Sequence, residues 1–179
     1  MHSRAASGRP GPGEFADYAQ TDIARVRGDD AVDALAAQGR ETRRVLGSIG
    51  ERTAAGLTYA PGKWTLKEVV VHLADDERIF AYRALCVARG DPAPLPGFDE
   101  QDYVRNAGFE RRTLADLIVE FDSVRQATIV FGSSLTPDAW LRRGTVNGYE
   151  ASVRGLLFHV AGHELHHMEI VRERYLARV

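Results

Sequence analysis

The sequence predicts an all-α protein built around four long amphipathic helices. Apolar residues recur at helical spacing in four separate segments, two of those segments open with a reciprocal capping signature, and no convincing strand pattern interrupts them.

Residues 1–20 are rich in Gly, Pro, Ser and Ala, and the run Gly8-Arg9-Pro10-Gly11-Pro12-Gly13 offers nothing periodic to bury, so a flexible N-terminal tail is expected there. A single domain is expected over 21–179. The first helix begins at Asp29 or Asp30, either of which can cap it, and runs to about Arg52 with Val32, Leu35, Leu46 and Ile49 inward. Gly39 and Gly47 weaken it locally.

The turn Tyr59-Ala60-Pro61-Gly62-Lys63-Trp64 leads to Thr65, whose hydroxyl can take an amide proton while Glu68 answers three residues on, a capping box. The second helix follows to about Ala88, with Leu66, Val69, Leu73, Phe80, Ala84 and Val87 on one face. His72 falls at the edge of that face beside Asp76 and Arg83, where a histidine touching solvent is the ordinary reading. Residues 89–112 carry Pro92, Pro94 and Pro96 and read as a long loop, functional or mobile, with a short helix near 100–107.

Thr113 and Asp116 form a second capping-box signature, and the third helix extends to about Ser134. Thr136-Pro137 starts a short helical turn ending near Arg142, and Asn147-Gly148 is another turn. The fourth helix runs from Glu150 or Ala151 to about Leu176.

Composition bounds what such a protein does. At 179 residues it can bury a core without structural metal or disulfides, so a bound metal would serve function. Its 23 basic and 25 acidic residues give a net charge of −2 with no basic stripe interleaved with aromatics, which leaves nucleic-acid binding without an electrostatic footprint. No apolar run is long enough to span a membrane, no signal-peptide h-region opens the sequence, and the one cysteine cannot form an internal disulfide; a cytoplasmic location is expected. Cys86 lies about 21 Å along the helix from His72, too far to share a site, and reads as a small buried apolar residue.

Four of the six histidines fall between His159 and His167. At about 100° per residue, His163 and His167 lie within the stripe shared by Leu156, Val160, Ile170 and Val171, whereas His159 and His166 lie on its flank, open to water or a polar neighbour. Imidazoles at i and i+4 direct lone pairs to one point, the spacing a helix uses to bind a metal ion, and a third ligand must come from elsewhere. Two hydrogen-bonded core histidines are the structural alternative.

The stretch Lys63-Trp64-Thr65-Leu66-Lys67-Glu68-Val69-Val70-Val71-His72-Leu73-Ala74-Asp75, taken with His159–Ile170, resembles the DinB/YfiT-like superfamily of four-helix-bundle metalloproteins over about residues 30–176. The resemblance implies an up-down-down-up bundle with a long loop after the second helix. It also implies one divalent metal held by His72, His163 and His167. His159 and His166 are surplus to that pattern and allow another register, His159 with His163.

Three neutral nitrogens leave a coordination position for water or substrate, as in catalytic rather than structural sites. Zinc is the default ion, with nickel or iron also suited to imidazole ligands. By resemblance, the expected activity is S-transfer from a low-molecular-weight, bacillithiol-like thiol to a small-molecule substrate. The alternatives are a metal-dependent hydrolase and a non-catalytic metal-binding stress-response protein. Asp76, one turn after His72, is the candidate to orient that ligand's other ring nitrogen or to take a proton. A homodimer is expected, as the family resemblance and the commonest oligomer symmetry suggest.

Overall fold

The computed structural model describes residues 5–178. Four long helices make the bundle: α2 (Ala31–Gly47), α4 (Leu66–Ala88), α6 (Leu114–Ser133) and α8 (Val153–Ile170). Shorter pieces lie between and before them: α1 (Gln20–Arg25), α3 (Glu51–Ala54), α5 (Glu100–Asn106), α7 (Pro137–Leu141), and the strands β1 (Arg143–Val146) and β2 (Tyr149–Ser152). Thr65 with Glu68, and Thr113 with Asp116, close both capping boxes, and Asp30 caps α2 by accepting the amide of Asp33.

The core sits in two apolar clusters, and they fix the helix directions. One gathers the N-terminal parts of α2 (Val32, Leu35) and α8 (Leu156, Leu157) with the C-terminal part of α4 (Phe80, Ala84). The other gathers the start of α4 (Leu66, Val69), the start of α6 (Leu117, Phe121) and residues Met168 to Tyr175. So α4 and α6 run one way and α2 and α8 the other, an up-down-down-up bundle. The parallel pair α4 and α6 requires the long connection over 89–113, which crosses back along the bundle.

A polar layer separates the two clusters. Arg125 of α6 bonds Glu77 of α4 at 2.8–3.1 Å, Glu164 of α8 at 2.7 Å and the Leu35 carbonyl of α2 at 3.0 Å, and all three charged side chains are at most 2 % exposed. Gly39 makes room for it, since a Cβ there would lie 3.0 Å from the arginine's Cγ. The glycine that weakens α2 by propensity is thus needed for packing.

Several elements differ from the sequence expectation. Residues 5–20 are packed, and the tail expectation for 1–4 lies outside the described residues. The Ser7 hydroxyl accepts the amide of Ala31 at 2.9 Å, and Arg9 donates to the carbonyls of Ile23, Val26 and Gly28 at 2.8–2.9 Å, satisfying the end of α1. Glu14 forms a bidentate pair with Arg154 at 2.7 Å. Gly155 and Gly162 let this segment and α1 approach α8: a Cβ would lie 2.0 Å from the Glu14 carbonyl oxygen and 2.3 Å from that of Asp22. Contacts of this kind leave no apolar period in the sequence.

The first helix is interrupted after Gly47 and resumes as α3. The fourth starts at Val153, capped by Ser152, because residues 149–152 form a hairpin strand instead. Asn147 (φ 50°) and Gly148 (φ 80°) supply the left-handed pair that a two-residue hairpin turn requires. Leu95 bridges to Val146 through bonds of 2.8–2.9 Å, so the proline-rich loop is fastened to the hairpin. Among the described residues no helix is long and apolar enough to cross a membrane.

Candidate metal centre

His72 projects from the second turn of α4, and His163 and His167 from successive turns of α8, the two helices packed antiparallel. Nε2 of His163 lies 3.0 Å from Nε2 of His72 and 3.1 Å from Nε2 of His167. The rings meet pairwise at 70–76° with centroids 4.5–4.9 Å apart, so three edges face one point. Around a tetrahedral zinc with bonds of about 2.0–2.1 Å, ligand nitrogens sit about 3.3–3.4 Å apart, close to what these rings already show. No other histidine, cysteine or carboxylate joins this group among the described residues. The donor set therefore fits a divalent ion with a position left over.

His72 is 2 % exposed, well inside the bundle rather than at the solvent boundary. Burial, unopposed, holds it neutral with a pKa lowered to about 4. Burial foremost, with the neighbouring imidazoles, lowers His167 to about 3 and puts His163 well below its ordinary value. All three are in the neutral form a metal requires. Trp64, at the end of the turn before α4, covers the cluster, its ring 4.7 Å from His72 and 6.4 Å from His167.

Asp76 faces α8 rather than His72. Its Oδ2 lies 3.2 Å from Nδ1 of His163, not beside His72, and 3.8 Å from Nε2 of His159, without the alignment of a full hydrogen bond in either case. One turn after His72 on α4 carries the carboxylate across to α8. Burial raises its pKa well above the usual range, with Arg83 opposing; a cation held by His163 would favour the charged form.

The structure does not bring His159 or His166 into the cluster. His159 is buried, 6 % exposed, where a water-facing flank is expected; it stacks on Phe80 at 3.9 Å and its Nδ1 has no partner. Burial is greater because the N-terminal segment, with Tyr18 6.0 Å from its ring, covers that side of α8. His166 is half-buried, with Nδ1 3.6 Å from Asp22. Cys86 is partly exposed and lies outside the group.

A cavity of about 440 Å³ opens beside His163 and Asp76, walled by Tyr18, Phe80, Arg83 and Phe98 and reaching Asn147 of the hairpin. Apart from Arg83, noted beside His72, these wall residues carry no signal of a site in the sequence, since each comes from a different segment and the connections bring them together.

The depressed histidines fix the sign of a pH dependence. Their folded pKa values lie below the unfolded value of about 6.5, so the unfolded chain binds more protons as pH falls, at up to about 1.4 kcal/mol per group per pH unit. Asp76, and with it Asp75 and Glu164, is raised on folding and works the other way, but these three carboxyls stand against four depressed imidazoles, His72, His159, His163 and His167. The thermal midpoint of metal-free protein is expected to fall steadily from pH 6.5 to 5. A midpoint constant or rising over that range would contradict the burial of neutral imidazoles.

Comparisons with known proteins agree with this architecture. The sequence matches the family model of the DinB superfamily over residues 34–171. The fold is similar to that of YfiT from Bacillus subtilis, described as a probable metal-dependent hydrolase with an unusual four-helix bundle topology, at a TM-score of 0.70 and 16 % identity, covering 92 % of this chain and 93 % of that one. A search of curated proteins gives no match.

Proposed function

The chain belongs to the DinB superfamily, and from that premise we propose that it is a divalent-metal-dependent enzyme, a hydrolase in the first reading, with its ion held by His72, His163 and His167. The observation that carries the reading is the convergence of three buried, neutral imidazole nitrogens beside an open cavity. A divalent ion there supplies Lewis acidity and lowers the pKa of a water or thiol.

The protein's own groups do the rest. Asp76 lies against Nδ1 of His163, the ring nitrogen that does not face the cluster, where its carboxylate can orient that ring once a metal is held by Nε2. Trp64 closes the cluster on one side, and Phe80 and Phe98 give the cavity an apolar wall.

Thiol S-transfer is the second reading. It is supported by the thiol transferases in the superfamily that the sequence resembles, the all-histidine donor set suiting a transferase and a hydrolase alike. The test strips the protein with chelator, reloads it with zinc, nickel or iron, and offers a panel of p-nitrophenyl esters and amides, then a low-molecular-weight thiol with chlorodinitrobenzene. Metal-dependent, thiol-independent ester or amide cleavage is expected. Turnover only with thiol selects the transferase, and metal bound without either activity selects a non-catalytic metal-binding protein.

We propose a homodimer as well, with the apolar groove between α4 and α6 near Tyr82, Leu85 and Phe131 as the surface. Light scattering is then expected to give twice the 19.7 kDa of one chain.

A further inference from the structure

We propose that the substrate carries an anionic group, a carboxylate or phosphate, received by Arg83 in the cavity beside the metal centre; this rests on the metal-dependent reading above. Arg83 is only 3 % exposed, yet it lines the cavity and makes no ion pair among the described residues. Asp76 acts on it through space but makes no contact ion pair with it, and a buried guanidinium without a contacting counter-charge is costly, since interior charges are as a rule paired. Its one hydrogen bond runs from Nη2 to the Pro96 carbonyl at 2.6 Å, which fixes the group but does not neutralise it. A neutral amide would tie the loop equally well.

The guanidinium is also held in orientation, with its carbon 4.6 Å from the Phe80 ring centre and 5.6 Å from that of Phe98. Such a clamp keeps the remaining N–H groups in a fixed fork suited to a carboxylate or phosphate. The acids around the cavity do not fill this role. Asp22 pairs with Arg25 at 3.5 Å, Asp99 caps α5 by accepting two amides, Asp76 faces the two imidazoles, and Glu100 makes no ion pair with Arg83 among the described residues.

Asp76 and Arg83 are seven residues apart on α4, about 10 Å of helix rise. The cavity between them has aromatic walls. The geometry therefore fits a substrate whose reacting carbonyl or electrophilic carbon lies at the His163 end and whose anion lies at the Arg83 end, joined by an apolar body.

Binding to metal-free protein at neutral pH separates this from turnover and from direct carboxylate–metal contact. Phenylacetate, phenylacetamide and phenethylamine serve as probes, followed by ligand-observed NMR and calorimetry. Phenylacetate is expected to bind about 10- to 100-fold more tightly than the neutral amide, the worth of charge-assisted hydrogen bonds to one guanidinium. Arg83→Gln should remove that preference and Arg83→Lys keep part of it. If Arg83→Gln does not fold, the wild-type preference and the lysine variant decide. Equal affinity for the three probes, tighter binding of phenethylamine, an unchanged preference in a folded Arg83→Gln protein, or no phenylacetate binding at millimolar concentration overturns the proposal. A failure of the ester panel leaves this binding result standing, so the two readings fail separately.

Discussion

His163→Ala is expected to abolish stoichiometric metal binding, lowering affinity at least about 100-fold. Its Nε2 is the atom 3.0 Å from His72 and 3.1 Å from His167, and no other described side chain can take its place. Structural zinc sites bind with about 10–16 kcal/mol in total, and on that scale loss of one ligand of three or four removes about 3–4 kcal/mol. Metal content after dialysis and the thermal shift on adding metal both measure it. Asp76→Asn keeps all three ligands and is expected to weaken binding less, about 10-fold, through the lost orientation of the His163 ring. Full metal occupancy in His163→Ala would place the ion elsewhere.

Arg125→Ala is expected to destabilise the fold by about 3–5 kcal/mol, because it leaves Glu77 and Glu164 buried without their counter-charge. That is a third or more of the stability of many domains of this size. Urea unfolding of the metal-free protein measures it. The matched control replaces Glu77 and Glu164 by leucine and Arg125 by methionine together. Removing the whole network in this way is expected to recover most of the loss, since a buried triad contributes little beyond an apolar layer of equal volume. If Arg125→Ala unfolds at the wild-type urea midpoint, the polar layer does not hold the four helices in register. By contrast, His163→Ala should cost metal-free protein less than Arg125→Ala, as it leaves a cavity but no unpaired buried charge.

The long helices were legible because each bears an apolar period and a start signal of its own. Thr65 with Glu68 and Thr113 with Asp116 announce α4 and α6 locally. The i, i+4 pair His163 and His167 was legible for the same reason, being fixed by one helix alone. His72 required the family resemblance, because its own position on α4 reads as a boundary.

What was not legible depends on contacts between segments. The N-terminal stretch docks through Ser7, Arg9 and Glu14 and through close approach to Gly155 and Gly162, none of which has a period. That docking buries His159, which helix geometry alone sets on a wet flank. Asn147-Gly148 gave the hairpin turn, but four-residue strands with polar, exposed positions give no alternation to read. Spacing along α4 shows the distance of Asp76 from His72 but not that α8 brings His163 to within 3.2 Å of its carboxylate.

Crystallography of zinc-loaded protein with anomalous diffraction at the metal edge tests the central claim most directly. One ion per chain is expected, bound by Nε2 of His72, His163 and His167 at about 2.0–2.1 Å, with the remaining position open towards the cavity that carries Asp76 and Arg83. An ion held instead by His159 and His163, an ion bound away from His72, or no ordered ion from a zinc-saturated solution would contradict it.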